Sequence, residues 1–222
     1  KPKNAVAFIE KSLSIDPYDP YSLLIQGKIN MDLKNYALAI EVFKKASLQD
    51  DVLFESLHLM GICNLKLGNS SKAVNNFKKL FVSPSWKEKG MEGVALTYYN
   101  DFSFEKSFEQ FDILSQAFSE NSKYHYYKGV CLSYLDKYRL SELCLKKAIS
   151  LNDNDAMYHQ SLGRALFLQG KLRESFHCYK EALKIAPNDL AIRSSFLFIL
   201  NFIPDIPSQT LLNYHFNWGK IL

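Results

Sequence analysis

Apolar side chains return along this chain at three- and four-residue steps, the spacing that gathers them on one face of an α-helix, with charged positions between them. Helix-breaking residues cut the pattern at short intervals. Gly68, Asn100-Asp101, Asp136 and Gly170 mark turns inside helical hairpins. Asp16-Pro17, Asp50-Asp51, Ser83-Pro84, Asn152-Asp153 and Pro187-Asn188 mark where the second helix of each hairpin is expected to end. The elements this predicts are short amphipathic helices in pairs, an all-α chain.

The pairs are in phase. Gly27, Gly61, Gly129 and Gly163 are separated by 34, 68 and 34 residues, and Ala95 sits halfway across the double interval. Twelve positions after these small residues come Ala39, Ala73, Ser107, Ser141 and Ser175. Sixteen after come Phe43, Phe77, Phe111, Leu145 and Tyr179, and nineteen after come Ala46, Leu80, Leu114, Ala148 and Ala182. A fixed period of this length is the signature of stacked supersecondary units. The first small residue lets helix A of a unit approach helix B, the second lets helix B approach the next helix A, and the large residue is expected to fill the hole between units. A lone hairpin cannot bury its apolar face, so neighbours must stack.

These residues resemble the tetratricopeptide repeat family, and residues 163–187 match its consensus most closely. The usual helix A tryptophan is replaced by Leu23, Leu57, Met91, His125 and His159, and the closing proline appears at Pro17 and Pro187. The resemblance implies a right-handed α-solenoid of antiparallel helix pairs. It reads as a half repeat over 1–19, whose helix carries Ala5, Ile9 and Ser12. Full repeats over 20–53, 54–87, 88–121, 122–155 and 156–189 follow, then capping helices over 190–222. The last segment holds an A-like helix to about 202 and a helix N-capped by Ser208.

The tail is read in two ways. One is a cap over the last apolar face. The other is a resemblance to the junction that precedes an O-linked N-acetylglucosamine transferase-like domain in bacterial tetratricopeptide proteins. Ser194, Leu197, Phe198, Leu200, Asn201, Phe202, Pro204, Asp205, His215 and Trp218 carry it, whereas Ser195 and Phe216-Asn217 depart from it. That resemblance implies a glycosyltransferase domain beyond Leu222. The asparagine ladder of those enzymes is replaced here by Ile25, Leu59, Gly93, Tyr127 and Ser161.

Composition narrows the function class. With 27 basic and 23 acidic side chains, net +4 and no block of like charge, the chain lacks the basic stripe of a nucleic-acid binder. The apolar run from Phe196 to Ile203 is too short to span a bilayer, so no membrane partner is expected. The chain starts inside a repeat without an initiator methionine and reads as part of a longer protein. Its cysteines, Cys63, Cys131, Cys144 and Cys178, form no CxxC pair, which suits packing roles in a reducing, cytoplasmic setting.

Catalytic and metal chemistry find no footing. His125 and His159 share a repeat position about 10 Å apart by helix packing distances, too far to share a metal. A half-buried ring in place of tryptophan is the reading preferred for both. His58 and His177 lack a neighbouring nucleophile pattern, no P-loop, HExxH or GxSxG occurs, and no cofactor is expected. The candidate site is therefore a surface. Helix A positions facing the inner side of such a stack are Tyr21, Leu24, Lys28 and Met31; Glu55, His58, Ile62 and Leu65; Lys89, Glu92, Leu96 and Tyr99; Lys123, Tyr126, Val130 and Ser133; Met157, Gln160, Arg164 and Phe167. Aromatic and aliphatic anchors beside cations suit an extended peptide with apolar side chains and some negative charge, though each apolar residue could equally pack on its helix neighbours. The expected partner is a protein or peptide. Self-assembly through an exposed solenoid end, as an oligomerisation module, is the alternative.

Overall fold

The computed structural model describes residues 2–203 and 206–219, with the side chains of 2–7, 210, 215 and 217–219 outside the description. Pro204, Asp205 and the side chains of Ala5, His215 and Trp218, all named above, thus lie outside the described residues. Among the described residues there are thirteen α-helices and no strand. They are α1 (Pro2–Ile15), α2 (Pro20–Asp32), α3 (Tyr36–Ala46), α4 (Asp50–Lys66), α5 (Ser70–Lys78), α6 (Pro84–Asn100), α7 (Phe104–Ala117), α8 (Ser122–Tyr134), α9 (Tyr138–Leu151), α10 (Ala156–Leu168), α11 (Leu172–Ile185), α12 (Leu190–Leu200) and α13 (Ser208–Gly219). A 3-10 turn, Lys79–Val82, extends α5. The chain forms two compact units, residues 1–110 and 111–222, and the division falls within α7.

In the first unit α2 packs on α3, α3 on α4, α4 on α5 and α5 on α6. Its core contains Leu23, Val42, Phe43, Leu57, Met60, Phe77, Leu80 and Val94. In the second unit α8 packs on α9, α9 on α10, α10 on α11 and α11 on α12. Tyr179, Ile192, Phe196, Ile199 and Leu200 form its C-terminal core, with α13 docked through Leu211 and through Tyr214, whose ring lies 5.4 Å from Phe196.

Every residue of the periodic signature is buried, and the reason is visible at each glycine. A Cβ on Gly27 would come within 2.3 Å of the Phe43 ring, and one on Gly163 within 2.8 Å of Tyr179. The large residue therefore lies on the glycine of its own hairpin rather than only between units. Phe77 does both: Cβ atoms built on Gly61 and Gly93 would each meet its ring at 2.5 Å, so the ring is held between α4 and α6. The second small residue also serves its own hairpin. Ser107 Oγ donates to Ala95 O at 3.0 Å and Ser175 Oγ to Gly163 O at 2.7 Å, both across the twelve-residue offset.

The hairpin turns share one backbone solution. Among the described residues, those with positive φ are Lys34, Gly68, Phe102, Asp136 and Gly170, at φ of 62, 73, 57, 58 and 75°. They fall 34 apart without slippage. At each, the next amide donates to the carbonyl five residues back: Asn35 to Asn30, Asn69 to Asn64, Ser103 to Tyr98, Lys137 to Leu132 and Lys171 to Leu166, at 2.8–3.0 Å. The left-handed residue itself donates to the carbonyl three residues back. This is a Schellman closure, which satisfies the orphan carbonyls at the end of helix A.

Three expected boundaries move. Asp50-Asp51 and Ser83-Pro84 open helices instead of closing them, since α4 begins at Asp50 and α6 at Pro84. Carboxylates in a first turn complement the helix dipole, and proline at N1 forfeits only an amide that has no intrahelical partner. Both helices run to seventeen residues, starting four residues before the regular frame. Ser208 is the first residue of α13 rather than its cap, and the Pro207 carbonyl accepts from the Leu211 amide.

Candidate interaction surface

In the first unit the expected lining residues sit on α2, α4 and α6. Tyr21 is 57% exposed, and the Lys28 ammonium pairs with the Glu55 carboxylate at 2.7 Å, joining α2 to α4. The half-buried His58 ring has its centroid 5.8 Å from both Phe77 and Trp86, and its Nδ1 is buried without a partner. Burial holds its pKa below the ordinary value, aided by the charge of Lys89 and opposed by Glu92 and Glu55. Lys89 lies over the Trp86 ring, 4.4 Å from the centroid. Tyr99 meets Phe104 edge-on at 5.8 Å, and Ile62 packs at the margin of the core.

Leu24 corrects the sequence reading. It is 5% exposed and belongs to the core with Leu57 and Met60, because that side of α2 is where α4 lies against it. Val130 and Ser133 are buried likewise in the second unit.

There, on α8 and α10, aromatic rings form a continuous run. Tyr127 stacks on Phe111 at 4.9 Å, Tyr126 meets Tyr127 edge-on at 5.0 Å, and Tyr126 stacks on Tyr158 at 4.8 Å. Burial pushes the Tyr126 phenol up to about 12, although a hydrogen bond with Ser161 acts against the shift. The Arg164 guanidinium lies 4.5 Å over Tyr134. Phe167 meets Phe198 at 5.8 Å and Phe202 at 5.2 Å, and those two rings are 55% and 49% exposed. Lys123 on α8 is exposed, while Gln160 on α10 is half-buried.

The described residues contain no group of three His, Cys, Asp or Glu able to hold a metal, and no described helix is long and apolar enough to cross a membrane. None of the four cysteines forms a disulfide. Burial pushes Cys63 and Cys178 up to about 11 and raises Cys144, which leaves them protonated and poor nucleophiles.

Residues 20–49 and residues 156–189 each match a tetratricopeptide repeat model. The chain carries tetratricopeptide repeats. No curated protein matches it in sequence. Solved tetratricopeptide structures match it in fold. TTC0263, a thermophilic tetratricopeptide protein of Thermus thermophilus, shares 22% identity over 82% of this chain and 98% of its own, with a TM-score of 0.62. PilF of Pseudomonas aeruginosa shares 13% over 91% of each chain, with a TM-score of 0.74. YrrB, a tetratricopeptide protein, shares 10% over 83% of this chain and 94% of its own, with a TM-score of 0.62.

Within the tetratricopeptide frame, the site of the replaced tryptophan gains a role that the sequence did not disclose. His125 Nε2 lies 2.8 Å from Ser119 O and His159 Nε2 lies 2.9 Å from Asp153 O. Arg193 Nε donates to Pro187 O, again six residues back and 34 residues on from His159. A long donor at this position ties the first turn of helix A to the loop before it. Sequence reasoning also missed Trp86, Tyr134, Tyr158, Phe198 and Phe202 as ring partners. Phe198 lies one repeat length after Arg164, a signal that carrying the frame past residue 189 would have exposed.

Proposed function

We propose that these tetratricopeptide repeats are a protein-interaction scaffold that holds an extended peptide segment of a partner on the helix A face. The observation carrying the reading is that each unit holds an exposed cation over a ring, Lys89 over Trp86 in the first and Arg164 over Tyr134 in the second, where Tyr126 and Phe167 supply further rings. Such pairs hold charge and apolar area in a fixed geometry, so less side-chain freedom is lost on binding. YrrB, a relative in fold, is described as having an unusual peptide-binding site of its own. The expected ligand presents apolar side chains to the rings and acidic ones to Lys123 and Arg164.

Isothermal titration against a library of unstructured peptides tests this. Arg164→Ala should weaken a bound peptide about thirtyfold, the scale of an interface hot spot. Tyr126→Ala should weaken it too, with far-UV circular dichroism checking that the helices persist. Absence of any binder, or variants that bind as well as the parent, refutes the assignment.

A finer form of the reading makes the array the substrate-targeting arm of an O-linked N-acetylglucosamine transferase-like enzyme. It draws on the tail residues alone, with Phe198 and Phe202 engaged by Phe167. Its test is whether the reading frame past Leu222 encodes that domain. A second reading, an assembly module, is favoured by Phe8, Ile15 and Tyr18, which are 74%, 79% and 66% exposed on and just after α1. Light scattering at high concentration would abolish it by returning a monomer mass.

A further inference from the structure

The turns α8–α9 and α10–α11 of the second unit are basic at two sites where those of the first unit are not. At the residue after the left-handed position, the chain reads Asn35, Asn69, Ser103, then Lys137 and Lys171. Two residues later it reads Ala37, Ser71, Glu105, then Arg139 and Arg173. The same two sites thus become basic together, in successive hairpins of one unit.

The structure brings these turns onto one surface. Asp136, Lys137, Tyr138, Arg139, Leu140, Gln169 and Lys171 line a common open cavity of about 550 Å³. A second hollow of about 310 Å³ continues past Lys171 to Arg173 and Glu174. Two carboxylates near the first cavity are already engaged. Asp136 accepts from the Tyr138 hydroxyl, and Glu142 is bound by Lys146 and Lys171 at 2.7 Å each and by Gln169 at 3.0 Å. Asp136 and Glu142 face four cations, Lys137, Arg139, Lys146 and Lys171, so a positive excess remains, and Arg139 is an exposed guanidinium.

We propose that this turn edge is a second docking surface, built on the hairpin turns rather than on the helix A face, and that its partner is an acidic polypeptide segment. Guanidinium groups pair carboxylates with a planar, two-point geometry, and cations repeated in consecutive hairpins match acidic side chains spaced along an extended strand of chain. A nucleic acid fits less well. Its backbone presents unbroken negative charge, whereas Asp136, Glu142 and Glu174 are interspersed among the cations here.

Fluorescence anisotropy with a labelled alternating Gly-Glu peptide tests the proposal on the full chain. The wild type should bind the Glu peptide, and less tightly at physiological than at low ionic strength. The Gly-Gln analogue should not bind. The double reversal Arg139→Glu with Arg173→Glu should weaken binding about tenfold, a few exposed charge pairs at their usual strength. Lys44→Glu with Lys72→Glu, the same charge change placed in the first unit, should leave it intact. Tyr126→Ala should leave it intact as well, which separates this surface from the helix A face. The proposal is overturned if the Glu peptide fails to bind or if Gly-Gln binds equally. It is overturned too if either the lysine control or Tyr126→Ala loses as much binding as the arginine pair, or if an oligothymidine of equal charge binds more tightly than the peptide.

Discussion

Adding one methyl group at Gly61 tests the account of the core directly, because two effects of opposite sign meet there. Alanine is the better helix former, worth about 1 kcal/mol over glycine inside a helix. Against it, the new Cβ would sit 2.5 Å from Phe77 Cε1, 2.7 Å from Cζ and 2.8 Å from Cδ1, closer than carbon atoms approach. The ring cannot retreat, since Gly93 on α6 holds its other side as tightly and the residue is 1% exposed. Overpacking of this kind costs about 1–3 kcal/mol, so Gly61→Ala should destabilise the chain by about 1 kcal/mol after the propensity gain is subtracted. Phe77→Val removes the three clashing ring atoms and should cost about 3 kcal/mol by cavity formation. In that background the sign reverses: Gly61→Ala then gains its helix propensity and part-fills the cavity, and becomes stabilising by about 1 kcal/mol. Urea unfolding of the four proteins, followed by far-UV circular dichroism, reads this cycle. If Gly61→Ala is neutral or stabilising in the parent, or equally harmful in both backgrounds, the close approach of α4 to Phe77 is not what requires glycine.

Two further outcomes follow from named residues. Burial raises the carboxyl of Glu142, but hydrogen bonds from Lys146, Lys171 and Gln169 outweigh it and hold the pKa at about 2 against an ordinary 4.5. A depressed carboxylate stabilises the fold fully above its unfolded pKa and loses that contribution as pH falls through the folded one. Both ammonium groups are partly solvated, so about 1–2 kcal/mol should disappear between about pH 4.5 and 2. Glu142→Gln should lower stability at neutral pH and flatten this acid limb; a parent-like acid limb in the variant would refute the assignment. Phe102 holds a left-handed backbone while its side chain is 78% exposed, so Phe102→Gly should raise the thermal midpoint by relieving about 1 kcal/mol of backbone strain. A fall in the midpoint would show that its edge contact with Phe104 at 6.1 Å matters more.

The repeat was legible because burial and close approach constrain side-chain size. Gly27, Gly61 and Gly163 are small since a ring lies on each, and Ala39, Ala73, Ser141 and Ser175 are small since helix B meets helix A there. The turns were legible where a breaking residue marks them. Gly68, Asp136 and Gly170 announced theirs and Asn100-Asp101 the one at Phe102, whereas Lys34, with the same left-handed φ, gave no such mark. The surface was legible by position but not by state. Lys28, Glu55 and Arg164 lie on the expected helices, yet the repeat spacing says nothing of the Lys28–Glu55 pair or of Tyr134 under Arg164. Leu24 shows the limit of the frame: it is core, whereas its counterparts His58, Glu92, Tyr126 and Gln160 at the same repeat position are half-buried.

The left-handed residue that closes each hairpin also sets the grain at which the gene can be edited. A duplication or deletion spanning a whole period hands the incoming helix an identical reversal, and every flanking contact finds its counterpart. A segment of any other length leaves one helix pair without its reversal and turns the next ring away from its glycine. Lineages of such arrays should therefore grow and shrink in complete hairpins, and laboratory chimaeras joined at Lys34, Gly68 or Gly170 should inherit working seams.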